Sequence, residues 1–158
     1  MTNKTNPFNN QVETGLRILC ILNEAFPETF DIQTLVYLDY LTVHSGDVDA
    51  NEKSLHPAVP FRTGELLVRS NLIREGLELL VYKNLVDKRY SNEGIIYSAT
   101  EESTPFVESL EEEYSLRLRE KAKWVISNFS ALKFHELKVF LEKRTASINS
   151  EFNIEILE

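Results

Sequence analysis

A chain of 158 residues with 42% hydrophobic and 27% charged side chains describes one ordinary globular domain, able to bury a core without a disulfide or metal staple. Its one cysteine, Cys20, excludes an internal disulfide and any Cys₂His₂ or Cys₄ zinc site, and no apolar run approaches a transmembrane helix. A formal net charge of −8 argues against a broad grip on nucleic-acid phosphates.

The first residues, Met1 to Gln11, are polar and Asn-rich, with no apolar core of a signal peptide. A flexible N-terminus on a cytoplasmic protein is the expectation. Val12, Leu16, Leu19, Leu22 and Phe26 then recur at helical spacing, and Pro27 ends that helix. Asp31 is placed to cap a second helix, Ile32 to Val43, in which Asp39 is the lone charge. A helix apolar nearly all round is buried in its own fold or against a partner. The partner alternative predicts that Tyr37, Leu38, Tyr40 and Leu41 are partly exposed in the isolated chain.

A long connection follows, from Ser45 to about Thr63, containing Gly46, Pro57 and Pro60. Connections of that length are often functional. Its charges lie beside the core and must be paired where desolvated, so Asp47 or Glu65 is expected to pair with Arg62 or Arg69. Next come two short helical segments, Gly64 to Arg69 and Leu72 to Lys83, the second capped by Asn71. Leu85 to Tyr90, the turn Asn92-Glu93-Gly94 and Ile95 to Tyr97 read as a β-hairpin. Helix, tight turn, helix and hairpin are the order of a winged helix-turn-helix.

Thr104 and Pro105 are placed to open a long helix running to about Asn128, roughly 36 Å at 1.5 Å per residue. Its stripe is Val107, Leu110, Tyr114, Leu118, Ala122, Val125 and Phe129. A final helix, Phe134 to Arg144, buries Leu137, Phe140 and Leu141. In the tail, residues 145–158, Phe152, Ile154 and Ile156 alternate like a half-buried strand, so an ordered tail is expected. The expected fold is therefore mostly α with a small β-hairpin: one domain over 1–158, a winged helix-turn-helix core with an extra N-terminal helix and long C-terminal helices.

Few residues suggest chemistry. His44, Ser45 and Asp47 supply the residue types of a hydrolase triad, but they stand too close in sequence to form the relay. Asp47, Asp49 and Asn51 resemble the start of a calcium loop, yet Glu52 and Ala58 occupy the positions that need Gly and Glu. His44 and His56 with Asp47 or Asp49 could hold a transition metal, although their spacing has no helical logic. Neither a GxGxxG nor a GxxxxGK[ST] phosphate loop is present. The expectation is a protein without catalytic residues, metal or cofactor.

Residues 62–100 are the one stretch that is not acidic, with six Lys and Arg against five Asp and Glu. A DNA-binding winged helix would use Arg74 and Lys83 on its second helix and Lys88 and Arg89 on the wing. Glu75 and Glu78 share that helix and repel phosphates, so a protein-binding winged helix is the stronger reading.

The segments Leu38-Asp39-Tyr40-Leu41, His44-Ser45-Gly46-Asp47, Ser54-Leu55-His56-Pro57, Arg62, Gly64 to Arg69, Ile73, Gly76-Leu77 and Gly94 to Tyr97 resemble the middle component of bacterial ABC-three-component systems. Within that group the chain is similar to the small accessory subunit of Lamassu anti-phage defence complexes. The resemblance continues through Ala99, Phe106-Val107, Leu110, Tyr114 and Trp124, and is most specific in the His44 to Asp47 and Ser54 to Pro57 segments. Ser70 and Asn84 depart from it, standing where arginine is expected. What it implies is an adaptor without catalysis, placed between an SMC-like ABC ATPase that senses foreign DNA and an effector, often a nuclease. DNA would be touched only within the assembly, with no membrane or small-molecule substrate involved. Candidate partner-binding residues are then Tyr37, Tyr40, Leu41, His44, Asp47, His56, Arg62, Glu65 and Arg69. A winged-helix transcriptional regulator is the alternative.

Overall fold

Asn10 starts the first helix. Its side chain accepts a 2.7 Å hydrogen bond from the Glu13 N–H, and α1 runs from there over Gln11–Ala25. The computed structural model describes residues 10–57, 63–92 and 94–144, with side chains of the second stretch from Leu67 onward. The N-terminal residues 1–9, Arg62, the Glu65 side chain and the tail 145–158 lie outside the described residues.

Asp31 caps α2, Ile32–Val43, as expected, accepting from the Thr34 N–H at 2.8 Å. This helix is apolar all round because it runs through the middle of the domain, touched by α1 and by the helices and hairpin described below. The partly exposed partner face is not there: Tyr37, Leu38, Tyr40 and Leu41 are all at most 5% exposed within the chain itself. Tyr37 packs its ring on Phe134, 5.5 Å between centroids. A single 3₁₀ turn, Ser45–Asp47, follows.

The expected tight turn at Ser70-Asn71 is also absent. Thr63–Tyr82 is one continuous helix, α3, about 30 Å long. Neither Ser70 nor Asn71 breaks a helix strongly, each costing about 0.5 kcal/mol relative to alanine. The buried stripe Ile73, Leu77 and Leu80 outweighs that preference, and Asn71 is an exposed mid-helix residue rather than a cap. The real stop is Asn84, at φ 60°: the Asn84 N–H bonds the Val81 carbonyl and the Leu85 N–H bonds that of Leu80, a Schellman ending.

Helices α1 and α3 cross where Gly15 meets Gly76. A Cβ on Gly76 would lie 2.9 Å from the Gly15 Cα, whereas one on Gly15 would find Gly76 at an ordinary 3.5 Å. Gly76→Ala is therefore expected to destabilise by about 1–3 kcal/mol despite its better helix propensity. Gly15→Ala should be neutral or slightly stabilising, and urea unfolding of the two variants checks the asymmetry.

The hairpin forms where expected, β1 over Val86–Ser91 and β2 over Gly94–Ala99, antiparallel with Val86 opposite Ala99 and Ser91 opposite Gly94. Gly94, at φ 116°, lies in a region other residues rarely adopt. The outer side of β2 is bridged by Phe30, whose N–H and carbonyl pair with those of Tyr97 at 2.9 and 2.8 Å.

The long helix expected from Thr104 is two helices, α4 over Ser103–Glu108 and α5 over Glu113–Phe129. Thr104 is not the cap. The Ser103 and Thr104 hydroxyls both donate to Asn23 Oδ1, at 2.7 and 2.8 Å, and fasten α4 to α1. The break follows from Ser109, whose hydroxyl donates to the Phe106 carbonyl at 2.6 Å. Its N–H shares the Pro105 and Phe106 carbonyls, which tightens the last turn and stops propagation. Glu113 then falls in the first turn of α5, where the helix dipole favours a carboxylate. Residues 134–144 form α6, as expected, burying Leu137 and Leu141 and packing Phe140 on Phe129. The described residues are thus mostly helical, with one two-stranded hairpin.

Candidate functional site

The loop after α2 is fastened at several points rather than merely solvated. The Gly46 N–H donates to Ser54 Oγ at 2.9 Å, and the His56 N–H donates to the Val43 carbonyl at 3.0 Å. The two most distinctive sequence segments, His44 to Asp47 and Ser54 to Pro57, are therefore halves of one structure. Gly46 is required there, because a Cβ would sit 2.8 Å from Ser54 Oγ. Lys121 of α5 forms an ion pair with Glu52, and Arg144 of α6 donates to the Val48 carbonyl at 3.2 Å.

Beneath this loop lies a buried polar network. Arg17 of α1 approaches Asp39 of α2 through two nitrogens, Nε to Oδ1 at 2.8 Å and Nη2 to Oδ2 at 3.3 Å. Arg69 of α3 reaches the same carboxylate at 2.5 Å and lies over the Tyr40 ring, 5.7 Å from its centroid. The expected partner of Arg69 was Asp47 or Glu65. Asp47 instead accepts from the Tyr40 hydroxyl at 2.6 Å, and Asp39 takes both arginines. Asp39 and Arg17 were missed as site residues, although each is a lone charge inside an apolar stripe. A fully buried charge must be paired, so that pattern was the available signal.

Burial alone would raise the Asp39 carboxyl, but Arg17 and Arg69 beside it hold it down at about 2. Burial likewise opposes the charge on Arg17, and Asp39 more than restores it. The histidines respond oppositely. Burial, reinforced by Arg69 and His56, pushes His44 down to about 3. Burial and the Arg17 charge push His56 down to about 4. Both rings are neutral at pH 7. His44 packs on Tyr40 at 4.8 Å and meets His56 edge-on at 6.2 Å. His56 Nε2 lies 2.8 Å from the Tyr114 hydroxyl, with the two rings stacked.

This arrangement is not a nucleophile relay. Ser45 Oγ and His44 Nδ1 are buried without a hydrogen-bond partner among the described residues, and Asp47 serves Tyr40. Nor do the described residues place three His, Cys, Asp or Glu side chains to hold a metal ion. Burial pushes the Cys20 thiol up to about 12, the state of an inert packed cysteine. What the network does physically is lock α1, α2, α3, α5 and the loop into one arrangement. Of the candidate partner-binding residues, Tyr37, Tyr40, Leu41, His44 and His56 are buried within the chain itself.

The candidate DNA contacts are scattered. Arg74 on α3, Lys83 in the turn after it and Arg89 on the hairpin are exposed, while Lys88 is paired with Glu78 at 2.9 Å. Glu75 and Glu78 are exposed beside them, so this face is balanced rather than basic.

A family model described as ABC-three component (ABC-3C) system Middle Component 2 matches residues 7–151. No curated protein and no solved structure matches the chain.

Proposed function

The chain belongs to the Middle Component 2 family of ABC-three component systems, and from that premise we propose that it is a non-catalytic accessory subunit joining the other components of its system. The observation that carries this reading is the fate of its chemical residues. Asp39, Asp47, His56, Arg17 and Arg69 are engaged in internal bonds that hold the domain's shape, leaving a rigid body suited to being bound. The finer proposal, resting on the similarity to the Lamassu accessory subunit, is a cytoplasmic adaptor in anti-phage defence. It would link an SMC-like ABC ATPase that senses foreign DNA to an effector of the nuclease class, and control that effector's release or activation. No described helix is long and apolar enough to cross a membrane, which is compatible with that placement.

A winged-helix DNA-binding regulator is the second reading. In its favour, α1, the Phe30 bridge, α2, α3 and the hairpin follow one another in winged-helix order, with α3 directly before the wing. Against it stands the Lys88–Glu78 pair, which neutralises the wing cation nearest α3.

Two measurements separate the readings. Co-expression with the ATPase and effector of its own system should yield a complex containing all three chains, and the isolated chain should leave duplex DNA unshifted at low and moderate salt. A shift by the isolated chain that weakens steeply with salt, without co-purification, would make the regulator correct.

A further inference from the structure

The loop that covers the ion network closes on itself. His44 ends α2, and His56 returns beside it, its N–H donating to the Val43 carbonyl at 3.0 Å. Between them the chain makes a compact surface excursion with joined ends, the form of an Ω-loop. Its neck is a pair of imidazole rings, edge-on at 6.2 Å between centroids. Both residues are buried, His44 at 2% exposure and His56 at 8%. The rest of the loop is held lightly: Val48 is its one buried hydrophobic residue, Leu55 is half-buried, and Ala50, Asn51 and Lys53 are exposed. Two cations fasten it to other helices, Lys121 of α5 through Glu52 and Arg144 of α6 through the Val48 carbonyl. A segment with so little apolar burial can open without unfolding the helices beneath it.

The charges around this neck are unbalanced. Among the described residues, Arg17 of α1 and Arg69 of α3 act on both rings, against a single carboxylate, Asp39 of α2. From α5 the Tyr114 hydroxyl meets His56 Nε2 at 2.8 Å, and Glu13 of α1 acts on that hydroxyl. Asp47, in the loop itself, is taken by the Tyr40 hydroxyl. A proton on either ring adds a third buried cation where one anion already serves two. Two protonated rings also repel each other across the neck. We propose that the loop from His44 to His56 is an acid-released strap: protonation of the two neck histidines opens it as a local unit while the helices stay packed. Opening frees the loop from Lys121 and Arg144 and so from α5 and α6. The direction follows from the rings, held down at about 3 and 4 in the closed loop against an ordinary 6.5. Each histidine then favours the open loop roughly twentyfold more at pH 5 than at pH 7, and the two together on the order of several hundredfold.

Native-state hydrogen exchange of the full chain in low urea, read as protection factors, tests this. The reporters are the Gly46 and His56 amides, bonded to Ser54 Oγ and to the Val43 carbonyl. The buried Leu19 amide in α1 reports unfolding of the whole domain. The loop amides should be less protected than Leu19 and nearly indifferent to urea. Between pH 7 and pH 5 their protection should fall by roughly several hundredfold. In His56→Gln, whose side chain stays neutral throughout, the fall should shrink to about twentyfold, with circular dichroism confirming that the variant is folded. Loop amides as protected and as urea-sensitive as Leu19 overturn the proposal, because the loop then opens only with the whole domain. Loop protection that is equal at the two pH values in the parent chain overturns it as well.

Discussion

Asp39→Ala is expected to destabilise the domain by about 3–5 kcal/mol, because it leaves Arg17 buried with no counter-charge. Arg17 is 1% exposed and Asp39 is wholly buried, so water cannot replace the lost partner. Arg69→Ala should cost less, since its side chain keeps some exposure and Arg17 still neutralises Asp39. The combined replacement Arg17→Met, Asp39→Leu and Arg69→Met should recover most of the loss, because a well-packed apolar triad escapes the desolvation of three ions. Urea unfolding of the four proteins reads all of this. An Asp39→Ala variant as stable as the parent would mean that the ion pairs do not organise the core. If the complex with the other components nevertheless failed to form with the apolar triad, the network would carry a role beyond stability.

A fall of about 3–4 kcal/mol in stability between pH 7 and pH 5 is the second large expectation. The sign comes from the histidines. His44 and His56 are held down at about 3 and 4, against 6.5 for an ordinary histidine. The unfolded chain therefore takes up protons that the folded chain excludes. Their contribution is complete above pH 6.5 and is lost as pH drops from there towards the folded values. Asp39, also depressed, works in a lower window: its contribution is present above the ordinary carboxylate range and disappears only as pH falls through about 2. Among the described residues, the histidines are thus the groups with a resolved shift that titrate near pH 5. His56→Gln, which keeps a hydrogen-bonding group facing Tyr114, should remove about half of the slope. Urea midpoints at pH 7 and pH 5 that coincide in the parent would contradict the burial of neutral rings.

Much of the element plan was legible without coordinates, for reasons that can be named. The Asp31 cap, the Ile32 to Val43 helix, the hairpin and the Leu137 and Leu141 stripe of the last helix all rest on local chemistry. Each needs only a side chain's preference for its own backbone or for one face of its own helix. The errors fell where a local preference competed with something distant. Asn71 looks like a cap, and the packing of Ile73 and Leu77 kept it inside a helix. Thr104-Pro105 looks like the opening of a long helix, and Ser103 and Thr104 are drawn instead to Asn23, some eighty positions earlier.

The site shows the same division. The family resemblance was enough to mark the His44 to Asp47 and Ser54 to Pro57 segments as the distinctive part of the chain, and the cost of burying a charge was enough to argue that charges near the core must be paired. Which charge meets which was decided only by the tertiary structure. Asp39 binds Arg17 and Arg69 because α2 runs between α1 and α3, an arrangement set by apolar burial summed over all three helices and by the close approach at Gly15 and Gly76. Burial is a property of the assembled domain. From one sequence, the apolar surround of α2 could belong equally to a partner or to the chain itself, and only the packed structure shows that the chain covers it.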